Sequence, residues 1–249
     1  MKIKFIIVGW HYNQEDYIDG LIELKNENDI IDVFWSCHKE PPQKIKDNFE
    51  WKLFPNLGMA DGGYQQAVDY LDLDDEDVCF FTNDDIIVKD WNFISVCLDK
   101  LKRCKVIGNC VNYPTTFNPD TLEKVSGKTF KELAKESSRH LFDNEIFIKT
   151  VRGSFMCMKY KSLKDVDMFE PIFHHPELIE PKIKENGQAY VEGFNGIGGI
   201  GNLILNLFSY KLNKVLGINN IDYLSNRYLD SDYIYECARG EVDPNNPLT

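Results

Sequence analysis

Short apolar runs alternate with segments of helical periodicity at the start of this chain, and this alternation constrains its fold most. The runs at Ile3–Val8, Ile30–Trp35 and Val78–Thr82 have the length and composition of strands that are covered on both faces. Between them, apolar residues recur at helical spacing over 14–26 and 61–71. Strands that alternate with helices predict an α/β fold in which helices flank a mostly parallel central sheet.

The remainder of the chain continues this pattern less regularly. Further strands are predicted at 51–54, 106–111 and 154–158, and further helices at 92–102, 161–169, from Pro176, and at 199–213. The stretch 112–150 is interpreted as an excursion from the sheet, with a polar helical segment at 129–141. We therefore predict one domain made of two halves, 1–111 and 112–229, followed by a polar tail at 230–249.

The composition argues against several classes of protein. A formal net charge of -12 over 249 residues is unsuited to a broad nucleic-acid surface. The seven cysteines include no CxxC pair, which favours a reducing compartment over a disulfide framework or a zinc knuckle. We find no secretory signal pattern and no apolar run approaching about 18 residues. The expectation is a cytoplasmic protein without a transmembrane segment, and the oligomeric state is not predicted.

Two adjacent carboxylates follow the buried strand at 78–82. Like charges at a strand end are costly to desolvate unless a cation, hydrogen-bond donors or water compensates them. One interpretation of Asn83-Asp84-Asp85 is a solvated turn or a helix cap. The other is a site for Mg²⁺ or Mn²⁺, which bind carboxylates together with substrate phosphates. Because ligands bind beyond the carboxyl ends of parallel strands, the loop Gly9–Asn13 after the first strand is expected at the same rim.

Other residues are weaker candidates for the same chemistry. His175 is a possible metal ligand, and His11 and His38 lie in loops from which they could reach a base or a phosphate. The carboxylates Glu177, Glu180 and Glu192 are candidates for a general base, and Trp10, Tyr12 and Trp35 are aromatic residues that could stack on a nucleobase. The glycines at 196–201 follow no N-terminal strand of a βαβ unit, so they are not a dinucleotide-binding fingerprint.

Four motifs follow one another along the chain: VGWHYN at 8–13, PNLGMADGGYQQAVDYL from Pro55, FFTNDDIIVKDW from Phe80, and RGSFMCMKYKSLKDVDMFEP from Arg152. In this order they resemble the motifs of GT-A-type glycosyltransferases, especially the broad family-2-like group. The resemblance covers about residues 3–111 and 152–215. It implies a GT-A-like, Rossmann-like sheet whose first half binds a nucleotide sugar and whose second half faces the acceptor.

The activity that the resemblance implies is transfer of a sugar from a UDP- or GDP-type donor to a hydroxyl of a glycan or other acceptor. A Mn²⁺ or Mg²⁺ ion would be held by Asn83, Asp85 and His175. Glu177 or Glu192 would act as the general base. Substrate binding is assigned to a larger set: Trp10, Tyr12, Asn13, His38, Asn56, Gly58, Asp61, Gly63, Gln66, Asp84 and Gly153. Asp61 is also predicted to cap the helix that follows it.

The chain departs from the family pattern at two places. The neutral Asn83 stands where the family has its first acidic metal ligand, and Ser36-Cys37-His38 stands where the family has an acidic pair near the base. Two other functions therefore stay open. A nucleotidyltransferase would need a glycine-rich loop with a basic residue after the first strand, and GWHYNQED has neither Lys nor Arg. A non-catalytic protein that binds a sugar or nucleotide is compatible with the missing acidic pair.

Overall fold

The computed structural model describes residues 1–56, 59–109, 114–117, 146–149, 151, 154–169, 182–183, 189–190, 208–209 and 211–231. Its strands are β1 (Ile3–Gly9), β2 (Ile31–Cys37), β3 (Glu50–Leu53), β4 (Val78–Asn83), β5 (Ile86–Val88), β6 (Val106–Asn109), β7 (Pro114–Phe117), β8 (Ile146–Lys149), β9 (Phe155–Lys159), β10 (Lys182–Ile183), β11 (Ala189–Tyr190), β12 (Ile221–Leu224) and β13 (Leu229–Ser231). Its α-helices are α1 (Glu15–Glu27), α2 (Gln43–Asn48), α3 (Met59–Tyr70), α4 (Phe93–Lys100) and α5 (Tyr160–Asp165). A π-helix (Leu212–Leu216) and a short 3₁₀ helix (Ile218–Asn220) precede β12.

The described strands include a seven-stranded sheet in the order β12-β6-β9-β4-β1-β2-β3. Strand β9 runs antiparallel to β4 and β6, while each of the other neighbouring pairs is parallel. Strands β5 and β13 form a separate antiparallel pair, as do β7 and β8, and β10 and β11. The prediction of an α/β fold with a mostly parallel central sheet flanked by helices is confirmed.

Both faces of the central sheet are buried, which explains the continuous apolar runs in the sequence. Along β1, Phe5 and Ile7 belong to one apolar cluster, whereas Ile6 and Val8 belong to a second cluster. Successive side chains of a strand point to opposite faces, so the two clusters lie on the two sides of the sheet. Residues of α1 and α4 complete the first cluster, and residues of α3 and α5 complete the second.

Several boundaries differ from the sequence-based expectation. Helix α2 begins directly after Pro42, where regular structure was expected to stop. The helix expected to start at Asp61 begins at Met59, so Asp61 lies in its first turn and the predicted N-cap position is wrong. Strand β13 spans the predicted start of the tail at residue 230 because it pairs with β5. The predicted helices at 129–141 and from Pro176 lie outside the described residues, and so does most of the one at 199–213.

The two predicted halves share the central sheet. Strand β9 lies between β4 and β6 of the first half, and β12 pairs with β6 at the edge. No helix within the described ranges has both the length and the apolar content needed to cross a bilayer.

Candidate ligand-binding site

The strand order places one crevice of the sheet at the ends of β1 and β4. From β1 the chain adds β2 and β3 on one side, and it then crosses to the other side of β1 to form β4. In open α/β sheets a ligand binds beyond the carboxyl ends of the strands at such a reversal of strand order. The loop Gly9–Asn13 after β1 and the segment Asn83–Asp85 at the end of β4 both lie at this reversal.

Asp84 connects these two segments. Its Oδ2 accepts hydrogen bonds from the backbone N–H groups of Trp10 at 2.8 Å, His11 at 2.6 Å and Tyr12 at 2.7 Å. Burial raises the pKa of the Asp84 carboxyl, and these three donors act in the opposite direction because they stabilise its charged form. Asp84 is 4% exposed. It therefore lies under the loop and holds it, and Asn13 follows at the exposed end of the loop.

Tyr12 folds the loop back onto the strand ends. Its φ of 56° lies in the left-handed region, and its hydroxyl shares its one proton between the carbonyl oxygens of Gly9 at 3.2 Å and Lys39 at 2.9 Å. A Cβ on Gly9 would lie 2.5 Å from Cε1 of Tyr12, so only glycine leaves room for this ring. Burial raises the pKa of the Tyr12 hydroxyl, which keeps it protonated as a donor.

A lysine that the sequence analysis did not single out lies beside this loop. Nζ of Lys39 lies 5.8 Å from the ring centroid of Trp10 and 5.5 Å from that of Tyr12. The contact brings a positive charge to the carboxyl end of β2, and both rings favour a cation over their faces. The signal in the sequence is weak, because a lysine two residues beyond a strand is ordinary in a surface loop.

Asn83 is oriented by a tyrosine of α3. Its Oδ1 accepts a hydrogen bond from the Tyr64 hydroxyl at 2.9 Å, and its backbone N–H donates to the carbonyl of Ser154 at 3.3 Å. Asp85 follows in the turn between β4 and β5 and is partly buried. Burial raises the pKa of the Tyr64 hydroxyl, and the negative charges of Asp61 and Asp85 add to the rise.

Asp61 is a buried acid on the same helix as Tyr64, one turn earlier. It is 6% exposed, and its carboxyl forms no hydrogen bond with a side chain or backbone group of the described residues. Burial raises its pKa from 3.8 to about 7. The carboxyl is therefore a titrating group near neutral pH, which is typical of functional sites rather than of helix caps.

The first turns of α3 are docked on the end of β2. The Ser36 hydroxyl donates to the Gly63 carbonyl at 2.8 Å, and a Cβ on Gly63 would lie 3.0 Å from Nε2 of His38. His38 is 8% exposed, and burial lowers its pKa to about 4, so it is neutral at physiological pH. Gln66 lies beside His38 and donates to the Pro55 carbonyl at 3.1 Å, and Asn56 is partly buried just before the helix.

The structure brings part of the predicted site together. The residues at the ends of β1, β2 and β4 and in the first turns of α3 lie at one rim of the sheet: Trp10, Tyr12, Asn13, His38, Asn56, Asp61, Gly63, Gln66, Asn83, Asp84 and Asp85. The predicted residues Gly58, Gly153, His175, Glu177 and Glu192 lie outside the described residues. Tyr64 was missed, although its position three residues after Asp61 on a helix places both on one face.

A divalent cation fits the donor atoms at this rim if a ligand supplies the rest. Within the described ranges, no group of three or more His, Cys, Asp or Glu side chains could hold a metal ion. Mg²⁺ is usually bound by one or two carboxylates together with substrate phosphates, and Mn²⁺ also prefers oxygen ligands. Asp85 offers carboxylate oxygens, and the carbonyl oxygen of Asn83 keeps a second lone pair beside the bond from Tyr64.

Comparison with known proteins leaves the family open. No family model and no curated protein matches the sequence. Among solved structures, the chain is similar to the crystal structure of mannose-6-phosphate isomerase from Helicobacter pylori, with a TM-score of 0.41 and 15% sequence identity. The match covers 93% of this chain and 100% of that chain. A likeness at this TM-score establishes neither the fold nor the function of this chain.

Proposed function

We propose that this chain is a metal-dependent glycosyltransferase of GT-A-like fold, which moves a sugar from a UDP- or GDP-type donor to an acceptor hydroxyl. The observation that carries the proposal is that the Asp84 carboxylate binds the backbone N–H groups of the β1 loop at the rim. The three backbone donors of the β1 loop are already bound to its carboxylate, so they do not neutralise the phosphates of a ligand. A diphosphate in this crevice then needs a cation, and Asp85 is the next residue along the chain.

The same observation favours this function over the nucleotidyltransferase alternative. Proteins that hold phosphates on the loop after a first strand leave its backbone N–H groups free to point at the phosphates. Here those of Trp10, His11 and Tyr12 are bound to Asp84. The loop also carries neither Lys nor Arg. Phosphate binding by the backbone of this loop is therefore disfavoured, because its donors are already bound to Asp84.

Asn83 and Asp85 are the residues that would hold the cation, as Mn²⁺ or Mg²⁺. When bound, such an ion offsets the charge of the diphosphate and stabilises the departing nucleotide. Tyr64 fixes the orientation of the Asn83 amide, because its hydroxyl donates to Oδ1. Trp10, Tyr12 and the Lys39 ammonium border the crevice on the β2 side, where we place the base and ribose.

The acceptor hydroxyl must lose a proton as its oxygen attacks the sugar. In the proposed reaction a carboxylate takes this proton, and Glu177 is preferred over Glu192 for the role because it lies in the segment that follows the Met168–Phe169 turn. The acceptor itself is proposed to be a glycan or another molecule with a free hydroxyl group. His175 is proposed as a further ligand of the cation from the same segment.

Thermal-shift titration tests the proposal directly. UDP and GDP are compared with UTP and GTP, each with and without Mn²⁺, on the wild-type chain, on Asp85→Asn and on Asp90→Asn. Asp90 is a matched control because it is a partly buried aspartate five residues beyond Asp85. A diphosphate shift that needs Mn²⁺, is lost in Asp85→Asn and is kept in Asp90→Asn is the expected result. Preference for a triphosphate would favour the nucleotidyltransferase, and no shift with any nucleotide would favour a non-catalytic protein.

A further inference from the structure

We infer that Asp84 is a positioning residue that occupies the backbone nest of residues 10–12 as an internal anion, and that it thereby holds the ligand-facing loop and keeps free phosphate out of it. The nest is defined here as the three consecutive N–H groups of Trp10, His11 and Tyr12, which converge on one oxygen of Asp84. Such nests bind anions in other proteins, and here the anion belongs to the chain.

The geometry ties Asp84 to β1 and its loop by both main chain and side chain. Its backbone N–H donates to the Val8 carbonyl at 3.0 Å, which continues the pairing of β4 with β1. Its Oδ2 then receives all three nest donors, each at 2.8 Å or less.

Loss of this carboxylate affects the loop before it affects the fold. The removal of one partner leaves a buried donor unsatisfied, and each such group costs about 1–3 kcal/mol. In Asp84→Asn the amide keeps one acceptor oxygen but has no charge, so its bonds to the three N–H donors are weaker than those of the carboxylate, whereas Asp84→Ala removes the acceptor altogether. Asp84→Asn should therefore loosen the loop, and Asp84→Ala should in addition leave the nest open to a small external anion.

A matched control lies at the other end of the same strand. Asp77, directly before β4, is 3% exposed and accepts backbone N–H groups from Lys2 at 2.7 Å and Asp74 at 3.2 Å. It is thus a buried aspartate that also binds backbone donors, but at the start of β4 and not at its end. Asp77→Asn reports general loosening of the fold, whereas Asp84→Asn reports the nest.

Amide hydrogen exchange by NMR tests the nest itself. In the wild-type chain the amides of residues 10–12 should be protected although they lie outside any helix or strand, and Asp84→Asn should speed their exchange about 10- to 100-fold. In Asp77→Asn these amides should exchange as in the wild type. Acetate or inorganic phosphate added to Asp84→Ala should restore the protection, and phosphate should leave the wild-type chain unaffected.

Three results would overturn the inference about the nest. One is fast exchange of these amides in the wild type, which decides the matter even if Asp84→Asn does not fold. The second is an equal loss of protection in Asp77→Asn. The third is no recovery in Asp84→Ala with either anion, because an open nest must bind a small anion.

The effect on ligand binding rests on the proposed function and is measured separately. Titration with UDP or GDP and Mn²⁺ should show binding that is about 10- to 100-fold weaker in Asp84→Asn and unchanged in Asp77→Asn. Equal affinity in Asp84→Asn and wild type would overturn the ligand-positioning role while the proposed function stands. If the wild type binds no nucleotide, the proposed function fails, and the exchange measurement still decides the role of Asp84 in the nest.

Discussion

Replacing Asp61 by asparagine should stabilise this protein at alkaline pH, which is an unusual result for a buried position. Asp61 lies in the first turn of α3 and is 6% exposed, and its carboxyl forms no hydrogen bond with the described residues. Its pKa is raised from 3.8 to about 7, so the folded state binds its proton more tightly than the unfolded state does. Stability from this group is present at low pH and is lost as the pH rises through about 7.

The magnitude follows from the pKa values. One pKa unit corresponds to about 1.4 kcal/mol, so ionised Asp61 lowers the free energy of unfolding by about 4 kcal/mol at pH 8. At pH 5 the same reasoning gives less than about 2 kcal/mol, because the folded state is still protonated. Relaxation and entry of water reduce both values. We therefore expect the advantage of Asp61→Asn over the wild type to grow by about 1–3 kcal/mol between pH 5 and pH 8.

Urea denaturation at several pH values from 5 to 8, with EDTA present, measures this difference. The chelator is needed because a bound cation would stabilise the folded state with Asp61 ionised. Asp69→Asn is the control, since Asp69 is exposed on the same helix and accepts a hydrogen bond from Gln65 at 2.7 Å. If the stabilities of Asp61→Asn and wild type run parallel across this range, Asp61 does not titrate in the way its burial implies.

Three further predictions concern the packing and charge of residues around β1, β2 and β4. Gly20→Ala should lower the free energy of unfolding by about 1–3 kcal/mol, although alanine has the better helix propensity, because its Cβ would lie 2.2 Å from Cζ2 of Trp91. An unchanged denaturation midpoint would contradict this. Tyr64→Phe removes the donor to Oδ1 of Asn83 and should cost about 0.5–1.5 kcal/mol in a chemical denaturation series, with Mn²⁺–nucleotide affinity reduced as well. His38→Gln should make the free energy of unfolding less sensitive to acid. Burial lowers the pKa of His38 from 6.5 to about 4, so the wild type loses up to about 3 kcal/mol of stability as the pH falls over that interval. An equal acid response in the variant would refute this.

The strands of the central sheet were predictable because each is covered on both faces. Strands β1, β2 and β4 were expected within one or two residues of their observed bounds, since their apolar runs need no knowledge of the partners. Helix α2 was missed because QKIKDN buries a single apolar residue, Ile45, and one residue gives no periodicity. Strands β12 and β13 were missed because their partners β6 and β5 lie more than about 100 residues earlier in the chain.

The position of the candidate site was predictable, but the roles of its individual residues were not. A polar segment after a buried strand points to the rim of an α/β sheet, which is why Asn83–Asp85 and Gly9–Asn13 could be placed together. The sequence cannot show that three backbone groups converge on Asp84, because that depends on the backbone path of another loop. The hydrogen bond from Tyr64 to Asn83 is hidden for the same reason.

Two buried titrating groups at this rim act on stability in opposite directions. As the pH falls from about 7 to about 4, protonation of Asp61 relieves a penalty, whereas neutral His38 is increasingly disfavoured against its charged unfolded form. Each contribution amounts to about 3–4 kcal/mol and the two nearly cancel, so a flat pH profile of the wild type would conceal both. The rim therefore carries two buried titrating side chains that lower the stability of the fold. The Asp61 carboxyl, which has no hydrogen bond with the described residues, does so at neutral pH, and the His38 imidazole does so at acid pH. Groups of this kind are typical of sites kept for binding or catalysis rather than for stability, and they lie beside the crevice in which the cation and the diphosphate are proposed to bind.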